Sequence, residues 1–569
     1  MAAFFGHTKS PHPSVPPMGP DLAAILQGAN DHYVHQAWDL SGCWLGYQHR
    51  HQELLHLQAG PRQLWVWGNI FAREKESLSP GDILLQGASN RALSQSLQKV
   101  HGTYIGLIHD EQQQLLHLFS GPRGLRPLYL LKHDGHWIWS SELKGFLAIP
   151  HFKPSVQKGA VSCFFDRGFL PGEMTWFKGV ERLPASCMLT IDLKTGRGKK
   201  TSYWSWQKLQ RIPDLDYRAS LEEGKRRWQL ALGRRIPASP KTVCISLSGG
   251  MDSRLILGGL QDQIGLRTFT FGKKRSWDVE YAQQLQRVVG HDHQWWELST
   301  DNWWQGKEEA VWQSDGLKNL MHLHGSPFYS QMAASEVVNF NGFLGGAAAG
   351  GLLQKGAWDA QATQAAQMEL RRLSTHAEWQ SADWYQKDTA DSWAINHRIR
   401  RFSAEGVWQW DRWIPQRLPL ADDEWLDWIY QLPPTFTQNG RWFNDLAIER
   451  YPHLFKDIPW QRTGVPVGHW SNTWLLRYPI RTAQYRLGFL PNYSFANYRR
   501  WLCEKPGYSY LEALLHPAQS KYFPYLGQDL VTTLLKPHFN RQKDHTEALG
   551  RALTIELWLR AVEKYRTGK

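Results

Sequence analysis

Residues 246–254 read Ser246-Leu247-Ser248-Gly249-Gly250-Met251-Asp252-Ser253-Arg254. This glycine-rich turn follows an apolar, β-branched segment at 242–246 and precedes an apolar segment with helical periodicity. A second segment of strand type comes next, at 266–271. A strand, a turn, a helix and a strand in this order are typical of a parallel α/β unit, so we predict one here.

The turn contains the residue types that bind phosphate groups. At the start of a helix, backbone N–H groups favour phosphate oxygens. Gly249 and Gly250 lack a Cβ, so a phosphate can approach the backbone closely. Ser248 and Ser253 add hydroxyl donors, and Asp252 can hold a Mg²⁺ that bridges to the phosphates. We therefore predict a nucleotide site in which Asp252 and Ser253 are catalytic and Asp252 is the metal ligand.

The pattern SGGxDS at 248–253 resembles the pyrophosphate loop (PP-loop) of ATP-pyrophosphatases, which cleave ATP between its α and β phosphates. The pattern GxxxxGK[ST], typical of γ-phosphate transfer, occurs nowhere in the sequence. The alternative is a glycine turn that binds nothing. The match between a predicted strand and a predicted helix favours the nucleotide loop.

The composition is that of a soluble globular protein with roughly two to four domains. Of the 569 residues, 42% are hydrophobic and 21% are charged, which is ordinary for that class. The 31 tryptophans are interpreted as amphipathic packing residues at the edges of the core. The net charge of +13 is spread along the chain instead of being concentrated, so we predict no nucleic-acid partner.

Cysteine usage and hydropathy indicate a cytoplasmic protein. The five cysteines form no CxxC pair and no Cys/His ligand spacing, which argues against a zinc site or a disulfide framework and fits a reducing compartment. The N-terminus has no basic region followed by an apolar run, so we expect no secretory signal. No stretch of about 18 apolar residues is present, so no membrane association is expected.

Periodicity and turn residues divide the chain into three regions. Residues 1–30 are rich in proline and are predicted to form an irregular arm. Over 31–200, short alternating segments between Gly, Asp and Pro predict a mostly antiparallel β domain. Over 210–569, the parallel α/β unit is followed by helical patterns, which dominate from about residue 355 onward.

Within the ATP-pyrophosphatase superfamily, the chain resembles asparagine synthetase of the glutamine-hydrolysing type (class II), over most of its length. In the N-terminal half, residues 121–129, 140–144 and 169–177 resemble the family's DxxGxxPLYY, ASExKAL and GxxPGxxTxF stretches. In the C-terminal half, 268–272 with Asp278 resembles the second strand and its helix, and 419–422 resembles the PFLD stretch. Their order around SGGMDS makes the resemblance specific.

The resemblance implies an α/β fold, with an N-terminal Ntn-hydrolase-like αββα sandwich followed by a PP-loop (adenine nucleotide alpha hydrolase-like) α/β domain with a helical C-terminal part. In the family, the first domain releases ammonia from glutamine, and the second forms an acyl-adenylate from aspartate and ATP with Mg²⁺. ATP and Mg²⁺ are therefore the expected cofactors. The implied nucleotide contacts are Leu247, Ser248, Gly249, Gly250, Asp252, Ser253, Phe271, Asn341 and Gly342.

The N-terminal domain departs from the family at its nucleophile. The family's glutaminase needs a cysteine directly after the initiator methionine, where the freed amine acts as the base. That position is Ala2 here, and the nearest cysteine is Cys43. We expect no glutaminase activity.

The second departure concerns the metal site. Residues 341–351 align with the family's SGxGxDExxGG, and Gly346 and Ala347 stand in place of its Asp-Glu pair. Phe343 stands where asparagine synthetases have a glutamate. The missing aspartate would share Mg²⁺ with Asp252, so the sequence predicts a weakened metal site.

Further residues are candidates for helping this site. Asp315 could replace the missing carboxylate, although an aspartate at a helix start is an equally good explanation. Lys318 and Lys521 are candidate charge stabilisers for an acyl-adenylate or plain surface lysines. The sequence His291-Asp292-His293 resembles a metal pair, but a loop between a helix and a strand explains it better.

Three functions remain open on the sequence. The first is an ATP-dependent, AMP-forming amide ligase that joins a small-molecule or peptide carboxylic acid to ammonia or an amine. The second is a degenerate synthetase that binds nucleotide or a partner protein without turnover, which Gly346 and Ala347 favour. The third is a PP-loop enzyme acting on tRNA, for which the sequence contains no recognisable nucleic-acid module. The intact loop favours the ligase. The oligomeric state stays open, with a homodimer as one option.

Overall fold

The structure is a computed structural model, and it describes most of the chain. The described residues are 3–9, 34–49, 54–89, 91–149, 152–237, 242–333, 337–349, 394–467, 480, 483, 484, 487, 489, 490 and 492–567. Within these ranges, no helix combines the length and the apolar character needed to cross a bilayer.

The strands of the N-terminal half form two six-stranded antiparallel sheets. The first sheet has the order β10-β8-β9-β1-β3-β2, and the second has the order β12-β11-β7-β6-β5-β4. The strand bounds are β1 Ala3–Thr8, β2 Val34–Leu40, β3 Cys43–His49, β4 Leu54–Ala59, β5 Arg62–Ala72, β6 Val100–Asp110, β7 Leu115–Ser120, β8 Tyr129–His133, β9 His136–Ser140, β10 Val180–Arg182, β11 Cys187–Asp192 and β12 Gly198–Ser202.

Helices cover the sheets and predominate over strands in the described part of the C-terminal half. Their bounds are α1 Pro80–Ser89, α2 Leu93–Ser96, α3 Lys158–Arg167, α4 Tyr217–Gly233, α5 Met251–Leu260, α6 Trp277–Val289, α7 Lys307–Gln313, α8 Tyr329–Ala333, α9 Ala404–Asp411, α10 Asp423–Gln431, α11 Pro434–Thr437, α12 Arg441–Arg450, α13 Pro452–Phe455, α14 Tyr498–Glu504, α15 Tyr508–Leu515, α16 Phe523–Leu526, α17 Lys536–Phe539 and α18 Thr546–Thr567. Among the described residues, three segments are π-helical, namely Gly345–Ala349, Ala394–Ser403 and Val531–Leu535.

The two sheets pack face to face between two layers of helices. Along β5, Trp65 and Trp67 point into the core between the sheets, whereas Leu64 and Val66 point toward α1 and α2. This alternation follows from the two-residue period of a strand. The outer face of the first sheet packs on α3 and on the C-terminal helix α18. The four layers confirm the predicted αββα sandwich.

The prediction of an irregular arm over 1–30 was wrong for residues 3–8. These residues form β1, an interior strand of the first sheet that pairs with β3 and β9. Gly6 is needed there because a Cβ would lie 2.4 Å from the Trp139 ring and from the Trp44 carbonyl oxygen. The prolines at 11–20 led the prediction to include residues 3–8 in the arm. Residues 10–33 lie outside the described residues.

The C-terminal half contains a five-stranded parallel sheet. Its order is β15-β14-β13-β16-β17, with bounds β13 Thr242–Ser246, β14 Arg267–Gly272, β15 Asp292–Glu297, β16 Val337–Phe340 and β17 Gln416–Arg417. The chain runs outward from β13 in one direction through β14 and β15, and β16 returns to the other side of β13. The predicted parallel α/β unit is confirmed, and the strand order reverses between β13 and β16.

Candidate functional site

A cavity of about 470 Å³ opens at the carboxyl ends of β13, β14 and β16. Its lining residues are Ser246, Leu247, Ser248, Phe269, Thr270, Phe271, Asp278, His324, Asn339, Asn341, Trp410, Gln461 and Phe495. In open parallel sheets, ligands bind in the crevice where the strand order reverses. The cavity occupies that position, and the 248–253 turn borders it.

The hydroxyl groups of the turn bond to the turn itself. The Ser248 N–H donates to Ser253 Oγ at 3.1 Å, and the two hydroxyl oxygens are also 3.1 Å apart. The Gly250 N–H donates to Ser248 Oγ at 3.2 Å. These internal bonds define the shape of the turn without closing the adjoining cavity, which Ser248 lines.

Gly249 is required by close packing at the base of the turn. A Cβ on Gly249 would lie 2.8 Å from Gln461 Cβ and 3.2 Å from the Trp277 carbonyl oxygen. The Gln461 N–H donates to the Gly249 carbonyl at 3.1 Å. The buried guanidinium of Arg254 donates to the same carbonyl at 3.2 Å, so the turn is held from below by two donors. Sequence reasoning assigned no role to either Arg254 or Gln461.

Asp252 lies in the first turn of α5 against the π-helical segment 345–349. Its Oδ2 accepts the Gly346 N–H at 2.8 Å. A Cβ on Gly345 would lie 2.7 Å from Asp252 Cγ, and one on Gly342 would lie 2.8 Å from Asp252 Cβ. The glycines of this segment therefore allow the backbone to pack directly on the carboxylate. Burial raises the pKa of Asp252 from 3.8 to about 6.

A second carboxylate, that of Asp278, lies in the cavity wall. Asp278 is in the first turn of α6, and its carboxylate accepts the Gly249 N–H. Burial raises the pKa of Asp278 from 3.8 to about 6, and the bond from Gly249 opposes this increase. In the sequence analysis, Asp278 was mentioned only as part of the family resemblance, and no role was predicted for it. Two carboxylates therefore flank the turn, each in surroundings that disfavour its charge.

Aromatic rings form one wall of the cavity. Phe271, a predicted nucleotide contact, stacks on Trp410 with ring centroids 6.0 Å apart. Phe495 meets His324 edge-on at 5.0 Å, and His324 Nδ1 lies 2.8 Å from the Tyr498 hydroxyl. Burial lowers the pKa of His324 well below 6.5, so its ring is neutral at pH 7. The residues of this wall are far apart in the sequence, so the sequence alone did not predict that they lie together.

Asn341 lines the cavity from the end of β16. Its Oδ1 accepts the Phe343 N–H at 3.0 Å, and its Nδ2 donates to Gln416 Oε1 at 3.2 Å. Phe343 is buried in the core of this half. Of the predicted nucleotide contacts, Leu247, Ser248, Phe271 and Asn341 line the cavity. The others lie in the turn or, like Gly342, pack against it.

Asp315 does not replace the missing metal ligand, which corrects the sequence hypothesis. Both of its oxygens accept backbone N–H groups, at 2.8 Å from Leu143 and 3.1 Å from Lys144. The Lys144 ammonium adds a bond of 3.0 Å. Asp315 is thus fully engaged at the contact between the two halves of the chain.

The other candidate helpers also lie outside the cavity lining. Lys318 is buried and donates to the Phe402 carbonyl at 2.9 Å, and Lys521 pairs with Glu563 at 2.6 Å. His291 bonds to the Gln261 carbonyl, and His293 bonds to Thr268 Oγ1, so the structure gives this pair hydrogen-bonding partners within the fold.

Among the described residues, His101, Asp422 and Glu424 have the spacing of a metal site. Arginines already occupy their acceptors, because Arg235 donates to Asp422 Oδ2 at 2.7 Å and Arg234 bonds to Glu424. A cation placed among these guanidinium groups would be repelled. We interpret this cluster as part of the contact between the two halves.

Two family models match the chain, one in each half. The glutamine amidotransferase domain matches residues 73–204, and the asparagine synthase domain matches residues 229–409. The putative asparagine synthetase [glutamine-hydrolyzing] 2 of Methanocaldococcus jannaschii is 29% identical over 213 residues, which are 37% of this chain and 41% of that protein. Asparagine synthetase [glutamine-hydrolyzing] 2 of Bacillus subtilis is 26% identical over 242 residues, which are 40% of this chain and 31% of that protein.

These matches span less than half the length of either relative. A solved structure of the allosteric regulatory enzyme of purine biosynthesis covers 52% of this chain and 80% of its own, with 11% identity and a TM-score of 0.24. A TM-score this low carries no inference.

Proposed function

The chain belongs to the asparagine synthetase family, and on that premise we propose that it is an ATP-dependent, AMP-forming amide ligase. It activates a carboxylic acid as an acyl-adenylate and passes the acyl group to ammonia or an amine. The observation that supports this most strongly is the cavity at the strand reversal, which the SGGMDS turn borders and the Asp278 carboxylate lines, with Asp252 in the first turn of α5.

The turn is the proposed site of the pyrophosphate end of ATP. Ser248 and Ser253 exchange their mutual hydrogen bonds for bonds to phosphate oxygens. The N–H groups at the start of α5 add donors with the favourable polarity of a helix N-terminus. The Arg254 guanidinium lies directly below the turn and contributes a buried positive charge. These groups stabilise the charge that develops on the departing pyrophosphate.

Magnesium fits the acidic side chains of the site. Burial raises the pKa of both Asp252 and Asp278 to about 6, because it disfavours their charged forms. A bound cation would stabilise those charged forms. Asp252 has one oxygen bonded to Gly346, which leaves Oδ1 as the candidate ligand. When bound, Mg²⁺ would neutralise phosphate charge. One or two carboxylates suffice for a Mg²⁺ held mainly by phosphates.

The rest of the cavity suits a nucleoside and an acyl group. Phe271 and Trp410 offer aromatic faces, and Asn339 and Asn341 offer neutral polar groups. Among the described residues, the lining contains no lysine or arginine. Phe343 replaces the glutamate of asparagine synthetases, so we propose an acid other than aspartate. Its partner is ammonia or an amine.

The alternative function is nucleotide binding without turnover. It is favoured by the bond from Gly346 to Asp252 and by the closed set of bonds between Ser248 and Ser253. Tight ATP binding in calorimetry, with no AMP formed on any acid and amine, would support it.

ATP–pyrophosphate exchange across a panel of carboxylic acids tests the ligase proposal. We expect exchange above background with at least one acid, and AMP formation when ammonia or an amine is added. Binding of ATP without exchange on any acid would favour the non-catalytic alternative. Absence of both binding and exchange would contradict both functions.

We also propose that the N-terminal domain has no glutaminase activity. A catalytic cysteine needs a lowered thiol pKa. Burial raises the pKa of Cys43 to about 12 and that of Cys187 to about 11, and it also raises the pKa of Cys163, Cys244 and Cys503. We expect no glutamate release when the pure protein is incubated with glutamine, with or without ATP. Release above the rate in a protein-free control would contradict the proposal.

A further inference from the structure

We infer that the N-terminal half sets the geometry of the nucleotide cavity through Arg126, a positioning residue that touches no substrate. The inference rests on the proposed function only in taking ATP as the ligand of the cavity. It gives the N-terminal domain a role that does not depend on a nucleophile.

Arg126 reaches from the N-terminal half into the C-terminal half. Its guanidinium lies between the Trp67 ring at 4.2 Å and the Trp408 ring at 4.5 Å. It pairs with Asp411 at 3.0 Å, and the two side chains are only 4% and 8% exposed. A Cβ on Gly68 would lie 2.9 Å from Arg126 Nε, so glycine at that position makes room for the arginine.

Hydrogen bonds continue from Asp411 to the cavity. Asp411 Oδ1 accepts the Gln416 N–H at 3.0 Å, which fixes β17. Gln416 Oε1 accepts from Asn339 Nδ2 at 2.8 Å and from Asn341 Nδ2 at 3.2 Å. Both asparagines line the cavity, and Asn339 Oδ1 also accepts the N–H of Ser246 at 3.0 Å. Every step from Arg126 to the cavity wall is therefore a direct contact.

The helix between these points carries part of the wall itself. Asp411 is the last residue of α9, and its neighbour Trp410 lines the cavity. The N-terminal half holds α9 at further points: Arg182 pairs with Glu405 at 3.2 Å, and Trp408 Nε1 donates to the Leu125 carbonyl at 2.9 Å. The position of Trp410 therefore follows the position of the N-terminal half.

Loss of Arg126 would act on this route through Asp411. A buried carboxylate without its cation either binds a proton or moves toward water. Both outcomes weaken the bond to the Gln416 N–H, and Gln416 then no longer fixes the two asparagines. A purely structural role would lower the stability of the protein without changing the nucleotide affinity of the folded protein.

The test compares R126M with R62M. Arg62 pairs with Asp110 at 2.7 Å inside the N-terminal half, with side chains 13% and 1% exposed, so R62M removes a similar buried pair that has no bond to the cavity. ATP affinity is measured by calorimetry well below the melting temperature of each variant. We expect R126M to raise the Kd for ATP about tenfold and R62M to change it less than about twofold.

The double variant R126M/D411N tests the route. The asparagine introduced by D411N keeps an oxygen for the Gln416 N–H and removes the unpaired charge, so we expect the Kd of the double variant to return to within about threefold of the wild-type value. If R126M does not fold, R126K replaces it, because lysine keeps the positive charge. We expect its Kd for ATP to lie between the wild-type value and the value expected for R126M. A Kd for R126M or R126K equal to that of R62M would overturn the inference.

Hydrogen exchange of the Gln416 backbone amide tests the coupling between Arg126 and Gln416 in the absence of nucleotide. We expect exchange about tenfold faster in R126M than in R62M, because only R126M releases the acceptor of this N–H. Equal exchange would overturn the inference. Failure of the wild-type protein to bind ATP would instead refute the proposed function. The hydrogen-exchange result would then decide by itself whether Arg126 has the inferred positioning role.

Discussion

Replacement of Asp252 by asparagine is expected to lower ATP–pyrophosphate exchange by about 10³-fold, as removal of a group that stabilises transition-state charge does. Asparagine keeps a side-chain oxygen that accepts the Gly346 N–H, now 2.8 Å from Asp252 Oδ2, so the local fold is retained. It removes the negative charge that Mg²⁺ requires. Exchange of labelled pyrophosphate into ATP, with the best acid of the panel, measures the effect.

Asp262→Asn is the matched control for this experiment. Asp262 is exposed just beyond the C-terminal end of α5, so its replacement removes one negative charge at the end of this helix remote from the turn. The control should keep the wild-type rate. A D252N protein that retains more than about a tenth of the wild-type exchange would refute an essential charge at this position.

D252N also changes the stability of the protein, and the pKa of Asp252 determines whether the change is an increase or a decrease. Because burial raises this pKa from 3.8 to about 6, the stability contributed by the protonated group is fully present below pH 3.8 and is lost as the pH rises through about 6. The difference corresponds to at most about 3 kcal/mol. Without nucleotide, D252N should therefore melt above the wild-type protein at pH 7 and close to it at pH 3.5. A lower melting temperature for D252N at pH 7 would contradict this account.

The parts of this protein that sequence reasoning found are local in the chain. The strand, turn and helix around Gly249 and Asp252 follow from neighbouring residues, because glycine placement and apolar periodicity act over a few positions. The antiparallel strands of the N-terminal half follow in the same way. β1 was missed because its six residues stand beside a proline-rich stretch that gives a stronger local signal.

The far wall of the cavity could not be found in this way. His324, Trp410, Gln461 and Phe495 reach it from four separate elements, and their proximity depends on how those elements pack. Asp315 is the opposite case. The sequence suggested that its carboxylate could bind the metal, but in the structure this carboxylate pairs with Lys144. Residue type suggests which chemistry is feasible, and tertiary packing decides which groups are free to perform it.

Gly346 offers a way to test whether a two-carboxylate metal site can be restored. A Cβ on Gly346 would lie 3.3 Å from Asp252 Oδ2, a tight contact that a small shift relieves. Gly346→Asp would therefore place a second carboxylate beside the first. Without metal, the two like charges should destabilise the protein. With Mg²⁺, they form a site with two protein ligands, which binds the ion more tightly than one.

Gly346→Asn is the matched control, since it has nearly the same size and no charge. Without Mg²⁺, we expect G346D to melt below G346N, because only the aspartate repels Asp252. At a Mg²⁺ concentration of about 100 times its Kd, G346D should gain about 2.7 kcal/mol, and its melting temperature should then exceed that of G346N. Melting curves of both variants with and without Mg²⁺ measure this. Equal responses of the two variants to Mg²⁺ would show that the Asp252 carboxylate does not face a metal position, and the assignment of Asp252 as the metal ligand would then be wrong.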